Sequence, residues 1–323
     1  MNDLPSPVQE ILSQEFMHVK LAEFEKAFSS LSTSYRSGKK KSHSFIRNEK
    51  EHLLYLATRL PATYAAVCEV FYAFQKVVGV VEEGSILDIG TGPGTLLVAA
   101  WKMGISFSKA TLIESDAAWR VWAEKIIRSL HPHLPLEWHF EDIGKLLLKK
   151  LPAHDLVTLS YSLNELPHES RTKILEGCWN LTQKFLFLIE PGTPEGFSRI
   201  REARDFLLHK GAHILAPCTH AMECPMSKND WCHFSARFAR TSLHRRIKGA
   251  TLGHEDEKYS YVIVSRQPHS LSDGRIVHTP QKNKGHIGLP LCRDGKIEVK
   301  IFSKKQGDLY KQACRSNWGD SWP

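Results

Sequence analysis

The chain has 323 residues, 42% hydrophobic and 24% charged, a composition that supports a large packed core and excludes wholesale disorder or a fibrous fold. No window approaches the ~18–20 uncharged apolar residues that a transmembrane helix requires. The start carries Asp3, Glu10 and Glu15 with no Lys or Arg, unlike a secretory signal or a basic presequence, so a cytoplasmic, bacterial address is expected, or a mitochondrial one if the source is eukaryotic.

Val8 to Ser29 and Lys50 to Val80 hold apolar residues at helical spacing with almost no glycine, which predicts an N-terminal helical region over residues 1–83. The Ser-Gly-Lys-rich stretch Ser32 to Ser44 between them reads as a loop or basic arm. From residue 84 the pattern changes. Short β-rich runs at Ser85 to Ile89, Ala110 to Ile113, Leu136 to Phe140, Leu156 to Leu159 and Phe185 to Ile189 alternate with helical stretches at Gly94 to Met103, Ala117 to Leu130, Ser170 to Leu181 and Glu195 to His209. This alternation predicts βαβ units in a mostly parallel, doubly wound sheet over residues 84–267, with Tyr259 to Ser265 as a late strand. Short β-like pieces, Gly274 to His278 and Lys296 to Ser303, predict a small β-rich basic extension over residues 268–323.

Gly90, Gly92 and Gly94 follow the first strand and open a helix, the context in which a glycine motif carries meaning. Their G-x-G-x-G spacing places the third glycine one position earlier than the dinucleotide fingerprint does. That favours S-adenosylmethionine, which has no pyrophosphate and needs close backbone approach to its amino-acid and sulfonium end. Asp88, Thr91 and the three glycines form the expected cofactor loop; Glu114, ending the second strand, is the expected ribose ligand, and Asp142, after the third, the adenine ligand. Together they predict the Rossmann-like α/β fold of S-adenosylmethionine-dependent methyltransferases. Amino-group methyltransferases usually carry Asn-Pro-Pro-aromatic after the fourth strand. Here the chain reads Ser160-Tyr-Ser-Leu-Asn-Glu-Leu-Pro-His168, so the acceptor is not written in the motif. Tyr161, Asn164, Glu165 and His168 are the catalytic candidates, and capping a helix or satisfying a loop is their plain alternative.

Seven cysteines without a secretory signal argue against a disulfide framework. Cys68 and Cys178 sit in apolar helical surroundings and read as small buried hydrophobes. Cys218, Cys224 and Cys232 crowd a polar insertion at 216–234 that lacks the apolar content to fold alone, so thiolate coordination would supply the missing free energy. Cys292, among turn residues, is the better fourth ligand and Cys314 its rival. Zinc and an iron–sulfur cluster both accept four thiolates. Intervals of six and eight residues, rather than Cys-x-x-Cys knuckles, favour a 4Fe-4S cluster.

The 43 Lys and Arg against 35 Asp and Glu leave a net charge of +8. The excess is concentrated: Arg237 to Arg315 holds 17 basic and 7 acidic residues, and Arg36, Lys39, Lys40, Lys41, Arg47 and Lys50 form a second cluster. Such basicity suits a polyanion, because each neutralised phosphate releases counterions; a solvated basic face is the alternative. Arg237, Arg240, Arg245, Arg246 and Lys248, with Lys282, Lys284, Lys304 and Lys305, are the expected phosphate contacts.

Longer motifs carry a resemblance. Pro217-Cys-Thr-His220 with Cys224-Pro225, Asp230-Trp-Cys-His-Phe-Ser235, His244-Arg-Arg with Lys248-Gly-Ala250, and Glu255-Asp-Glu-Lys-Tyr-Ser-Tyr261 resemble the methyltransferase-like assembly factors of the mitochondrial small ribosomal subunit and their bacterial relatives. The resemblance runs from Arg59-Leu-Pro-Ala-Thr-Tyr-Ala65 to Lys284-Gly-His286 and Trp318-Gly-Asp320. It implies a 4Fe-4S cluster on Cys218, Cys224, Cys232 and Cys292, S-adenosylmethionine in the core, and association with small-subunit ribosomal RNA during assembly or translation. A monomer when free is expected. The alternatives are a non-catalytic assembly checkpoint that keeps the cofactor as a structural ligand, and a small-molecule methyltransferase with an incidental basic tail.

Overall fold

The computed structural model describes residues 3–17, 24, 49–143 and 150–322. Of the basic cluster expected near the N-terminus, all but Lys50 lies outside the described residues. Among the described residues, α1 (Ser6–Phe16), α2 (Glu49–Thr58) and α3 (Leu60–Val78) precede the first strand. Pro61 opens α3, where its missing N–H costs nothing, and Gly79 at φ 77° ends it. Twelve of its 19 residues are buried, because α3 serves as one cover of the sheet rather than as a surface helix.

The main sheet follows the expected alternation. Its strands are β1 (Gly84–Ile89), β2 (Phe107–Ile113), β3 (Leu136–His139), β4 (His154–Ser160), β5 (Thr182–Pro191), β6 (His213–Ala216), β7 (Phe234–Ala239) and β8 (His254–Ser265). The order is β3-β2-β1-β4-β5-β8-β6, with β7 also paired to β8. Strands β1 to β5 run parallel, and β8 enters antiparallel to β5, β6 and β7. The crossovers are α4 (Thr95–Lys102), α5 (Ala117–Leu130), α6 (His168–Leu181) and α7 (Pro194–His209), and a short α8 (Ser242–Lys248) joins β7 to β8. Side-chain alternation in β1 sends Ile86 to the face covered by α3, α4 and α5, and Leu87 and Ile89 to the face covered by α6 and α7. This is the doubly wound core expected from the sequence, and its strand ends are where such folds place ligands.

The residues beyond 267 build a second sheet with its own small core of Ile276, Ile287, Leu289, Leu291, Phe302, Ala313 and Trp322. Its strands are β9 (Gly274–Ile276), β10 (Gln281–Asn283), β11 (His286–Arg293), β12 (Lys296–Ser303) and β13 (Ser321–Trp322), with α9 (Asp308–Arg315) against them. The order is β10-β11-β9-β13, and β12 pairs with β11 along its whole length. Cys292 therefore lies within a strand, not in the turn surroundings expected; the Asp294-Gly295 turn begins just after it.

Candidate functional sites

The glycine loop is held by the strand next door. The N–H groups of Gly90 and Thr91 donate to the Ile113 carbonyl at 2.9 and 3.1 Å, and the Thr91 hydroxyl donates back to the Asp88 carbonyl at 3.0 Å. Gly90 and Gly94 are left-handed, at φ 77° and 82°. Neither could carry a side chain: a Cβ on Gly90 would lie 2.3 Å from Ser162 Oγ, and one on Gly94 2.8 Å from Ile127. A Cβ on Gly92 would meet nothing within 4 Å. One side of the loop is thus packed shut and the other stands open, as a ligand cradle requires.

Four carboxylates gather around this loop. Asp88 is buried, and Thr158 Oγ1 donates to it at 2.6 Å; burial pushes its carboxyl up to about 6 against the pull of Thr158 and Thr91. Glu114 accepts the Gly92 N–H at 2.9 Å on one oxygen, and the Asp116 N–H at 3.0 Å and the Ser115 hydroxyl at 3.5 Å on the other. Burial raises the Glu114 carboxyl in spite of these donors. Glu165 reaches solvent, yet the protein wall beside it and the nearby Glu114, Glu190 and Asp142 raise it above the ordinary carboxylate range. Asp142 lies on the same side, and the neighbouring Ile143 side chain faces Gly90.

The chain after β4 is shaped by residues that motif reading passed over. Tyr161 adopts φ 60°, unusual for an aromatic residue and costly by about 1–2 kcal/mol. Its N–H donates to Ile189, and its buried hydroxyl has no partner beside the Arg59–Glu257 pair. That pair is bidentate, at 3.0 and 2.8 Å. Glu190, fully buried at the end of β5, accepts the Leu163 N–H at 3.1 Å and the Arg199 Nε–H at 2.6 Å, fixing the Leu163–Glu165 turn. Asn164 Oδ1 is buried without a partner. His168 differs from its three companions: it is 80% exposed at the start of α6, 3.8 Å from Glu202. An acid closing an apolar strand, followed nine residues later by Arg on the next helix, is the signal for Glu190 and Arg199 that the sequence holds.

The second site is a cavity between the two sheets, with about 40 Å³ open to the centre of a water-sized sphere, more than one water needs. Cys218, Cys224, Cys232 and Cys292 all line it, together with Phe197, Ile200, Met226, Tyr261, Val277 and Ile297. The segment 217–233 has no helix or strand and is held by its neighbours. Arg204 donates to the His220 and Met222 carbonyls at 3.1 and 2.6 Å, Arg275 to Pro217 at 2.8 Å, Ser260 to Cys232 at 2.8 Å, and Trp231 Nε1 to Gly192 at 2.9 Å. His220 Nε2 lies 3.5 Å from Cys292 Sγ. Cys314 is on α9, packed against the second sheet's core, and is absent from the cavity wall.

Burial and mutual repulsion raise the Cys232 thiol well above its ordinary value, and push Cys292 up to about 12. Among the described residues no three His, Cys, Asp or Glu side chains are drawn together closely enough to grip one ion. Tetrahedral zinc, with Zn–S of about 2.3 Å, needs sulfurs within roughly 4 Å of one another. Four soft sulfur donors on one cavity wall are a chemistry that zinc or an iron–sulfur cluster would accept.

The basic residues divide. Arg237 is taken up by Asp256 in a bidentate pair at 2.7 and 2.8 Å. Glu255 accepts from Arg240, His244 and Lys248 at 3.1, 3.2 and 2.8 Å; burial works against its charge, yet these donors hold its carboxyl far below the ordinary range. Three of the nine expected phosphate contacts are therefore ion-paired within the chain, Arg237 at the surface and Arg240 and Lys248 largely covered, because the β7–β8 register sets Arg237 opposite Asp256 and Glu255 lies near α8. Arg245 and Arg246 remain exposed on α8. Lys282, Lys284, Lys304 and Lys305 are exposed at one end of the second sheet, where the β10–β11 turn meets the residues after β12.

No helix among the described residues is long and apolar enough to cross a membrane. Against solved structures, the chain is similar to magnesium protoporphyrin IX methyltransferase from Synechocystis with bound S-adenosylhomocysteine, at 11% identity, TM-score 0.41, covering 76% of this chain and 99% of that one. It is similar to a SAM-dependent methyltransferase from Aquifex aeolicus at 16% identity, TM-score 0.41, covering 66% and 95%. Among curated proteins it is 29% identical over 298 residues to the human mitochondrial ribosome assembly protein METTL17, covering 84% of this chain and 62% of that protein. It is 27% identical over 326 residues to the mitochondrial Rsm22-cox11 tandem protein 2 of Schizosaccharomyces pombe, covering 84% and 43%. The chain thus spans about two fifths to three fifths of the length of these relatives. With the family model described as mitochondrial small ribosomal subunit Rsm22 matching residues 49–323, the chain belongs to the Rsm22 family.

Proposed function

We propose that this chain is an S-adenosylmethionine-binding, iron–sulfur-containing, methyltransferase-like factor that binds small-subunit ribosomal RNA and acts in assembly of the small subunit. The observation that carries the reading is the convergence of Cys218, Cys224, Cys232 and Cys292, scattered over 75 positions, on one cavity wall in a member of this family. The named relatives are mitochondrial, so a mitochondrial small subunit is the partner we infer; the bacterial cytoplasmic address has no support from them.

The open side of Gly92 would admit the cofactor's amino-acid end, with the Asp88 charge balancing its ammonium. Glu114 would accept the ribose hydroxyls, and Asp142 the adenine amine. When bound, the cofactor supplies an electrophilic methyl group on a positively charged sulfur, a charge the surrounding carboxylates favour. Tyr161, Asn164 and Glu165 stand after β4 to orient an acceptor. The four thiolates would hold a 4Fe-4S cluster that joins the second sheet to the core. Arg245 and Arg246, with the four exposed lysines, would meet phosphate; Arg237, Arg240 and Lys248 serve the fold instead.

The test is binding of labelled S-adenosylmethionine and of small-subunit ribosomal RNA by the protein purified without oxygen. Brown colour with about four irons per chain, cofactor binding abolished by Gly92→Arg, and salt-dependent RNA binding are expected. A colourless protein with neither iron nor zinc, or RNA binding indifferent to salt, overturns the corresponding part. Methyl label appearing in ribosomal RNA or protein, and lost with Gly92→Arg, identifies an enzyme. Retained assembly activity without such label identifies the checkpoint role.

A further inference from the structure

Two arginines line the cysteine cavity, and both are buried: Arg204 on α7 at 3% exposure and Arg275 on β9 at 5%. A buried guanidinium is costly unless something negative answers it. For Arg275 no carboxylate does so among the described residues; its bonds go to the carbonyls of Pro217 and Gly319, at 2.8 and 2.9 Å. Arg204 gives Nη1 to Asp205, which is 42% exposed on the solvent side, and Nη2 to two carbonyls of the cysteine segment, while its Nε reaches no hydrogen-bond acceptor among the described residues. The thiols face these cations as a set. Arg204 interacts with Cys218, Cys224 and Cys292, and Arg275 with Cys232 and Cys292.

We propose that Arg204 and Arg275 are positioning residues for the metal centre and supply its counter-charge, an inference that rests on the metal reading above. Four thiolates around a doubly charged cation, whether zinc or an oxidised 4Fe-4S core, leave two net negative charges. Two buried guanidiniums offset them. Apart from such a centre, the wall that the two cations face is largely apolar.

Reduction of the cluster adds one electron from the titrant and makes the centre more negative, so the arginines favour the reduced form. In anaerobically prepared protein, Arg204→Gln and Arg275→Gln should each lower the equilibrium constant for reduction about tenfold, a midpoint shift of about 59 mV to more negative potential. Arg204→Lys and Arg275→Lys, which keep the charge, should stay close to wild type. After removal of the metal, both Gln variants should melt at or above the temperature of metal-free wild type. A clasp for loop carbonyls alone predicts the reverse: unchanged potentials and lower melting of the metal-free Gln variants, and that result overturns the proposal. Should the wild type hold zinc, the reading becomes zinc affinity in competition with a chromophoric chelator, with a tenfold weakening expected for the Gln variants and equal affinity overturning the proposal. A wild type that takes up neither metal removes the metal reading, and this inference with it, whereas a loaded wild type with indifferent variants removes this inference alone.

Discussion

The glycine loop and the cysteine cavity differ in how far the chain satisfies itself. Around the loop three of the acids have internal answers: Asp88 has Thr158, Glu114 has the Gly92 and Asp116 N–H groups, and Glu190 has Arg199 and the Leu163 N–H. At the cavity, among the described residues, Arg275 has no carboxylate and Arg204 Nε and His220 Nδ1 make no hydrogen bond. A cradle that is already folded can gain or lose its ligand at small cost to the fold. A cavity with unanswered charge ties folding to occupancy.

That contrast is broken or sharpened by substitution. The largest effect is expected from Cys218→Ser or Cys224→Ser, which should lose the metal and open residues 217–233 to limited proteolysis, with the second sheet losing its hold on the core. Wild-type resistance in both variants would mean that the segment needs no metal. Glu190→Gln leaves Arg199 facing a neutral group in a buried site and should cost about 3–5 kcal/mol in urea denaturation. Gly90→Ala should cost about 3 kcal/mol, through the Ser162 contact and the left-handed backbone, whereas Gly92→Ala should cost only about 1–2 kcal/mol and still weaken cofactor binding. In the same titrations, affinity should fall as the pH drops through about 6, where Asp88 takes up its proton.

Asp155 tests the opposite, acid-stable end of the sheet. It accepts from the Ser85 N–H and hydroxyl at 2.7 and 2.9 Å and pairs with Lys184 at 2.9 Å; burial opposes its charge, but these donors bring the carboxyl down to about 2 from 3.8. A depressed carboxylate stabilises the fold above its unfolded pKa and loses that contribution as the pH falls through the folded one. About 2 kcal/mol should therefore vanish between pH 4 and 2, and Asp155→Asn should flatten that part of the profile. The smallest effect on stability belongs to Lys282, Lys284, Lys304 and Lys305. Their joint replacement by Gln should leave melting unchanged and lower the log–log salt slope of RNA binding by up to about four.

What could be read from the sequence was contiguous. The loop from Asp88 to Gly94 and the acid that follows at Glu114 are local, and strands β1, β2, β4 and β5 show as apolar runs, because a strand buried on both faces needs little else. Strands β6 and β7 were missed: β6 has four residues, and β7 alternates Phe234, Ala236 and Phe238 with polar partners inside a stretch dominated by its cysteines and charges. The same stretch misled the reading of charge. A run of Glu255, Asp256 and Glu257 lay ready to absorb Arg240, Arg237 and Arg59, but only the antiparallel register shows which cations it takes. Likewise the cysteines could be counted but not their companions, since Arg204 and Arg275 come from a helix and a strand separated by 71 positions.

The trough beneath the second sheet bears on how the polypeptide can be cut. Arg275, Val277, Cys292 and Ile297 form one wall of the space whose opposite wall is Phe197, Ile200 and Tyr261. A truncation ending near residue 267 would remove a sulfur and lay the apolar side bare to water, the kind of surface that drives self-association. A splice form or expression fragment lacking the last strands is then not a smaller working unit but an aggregating one.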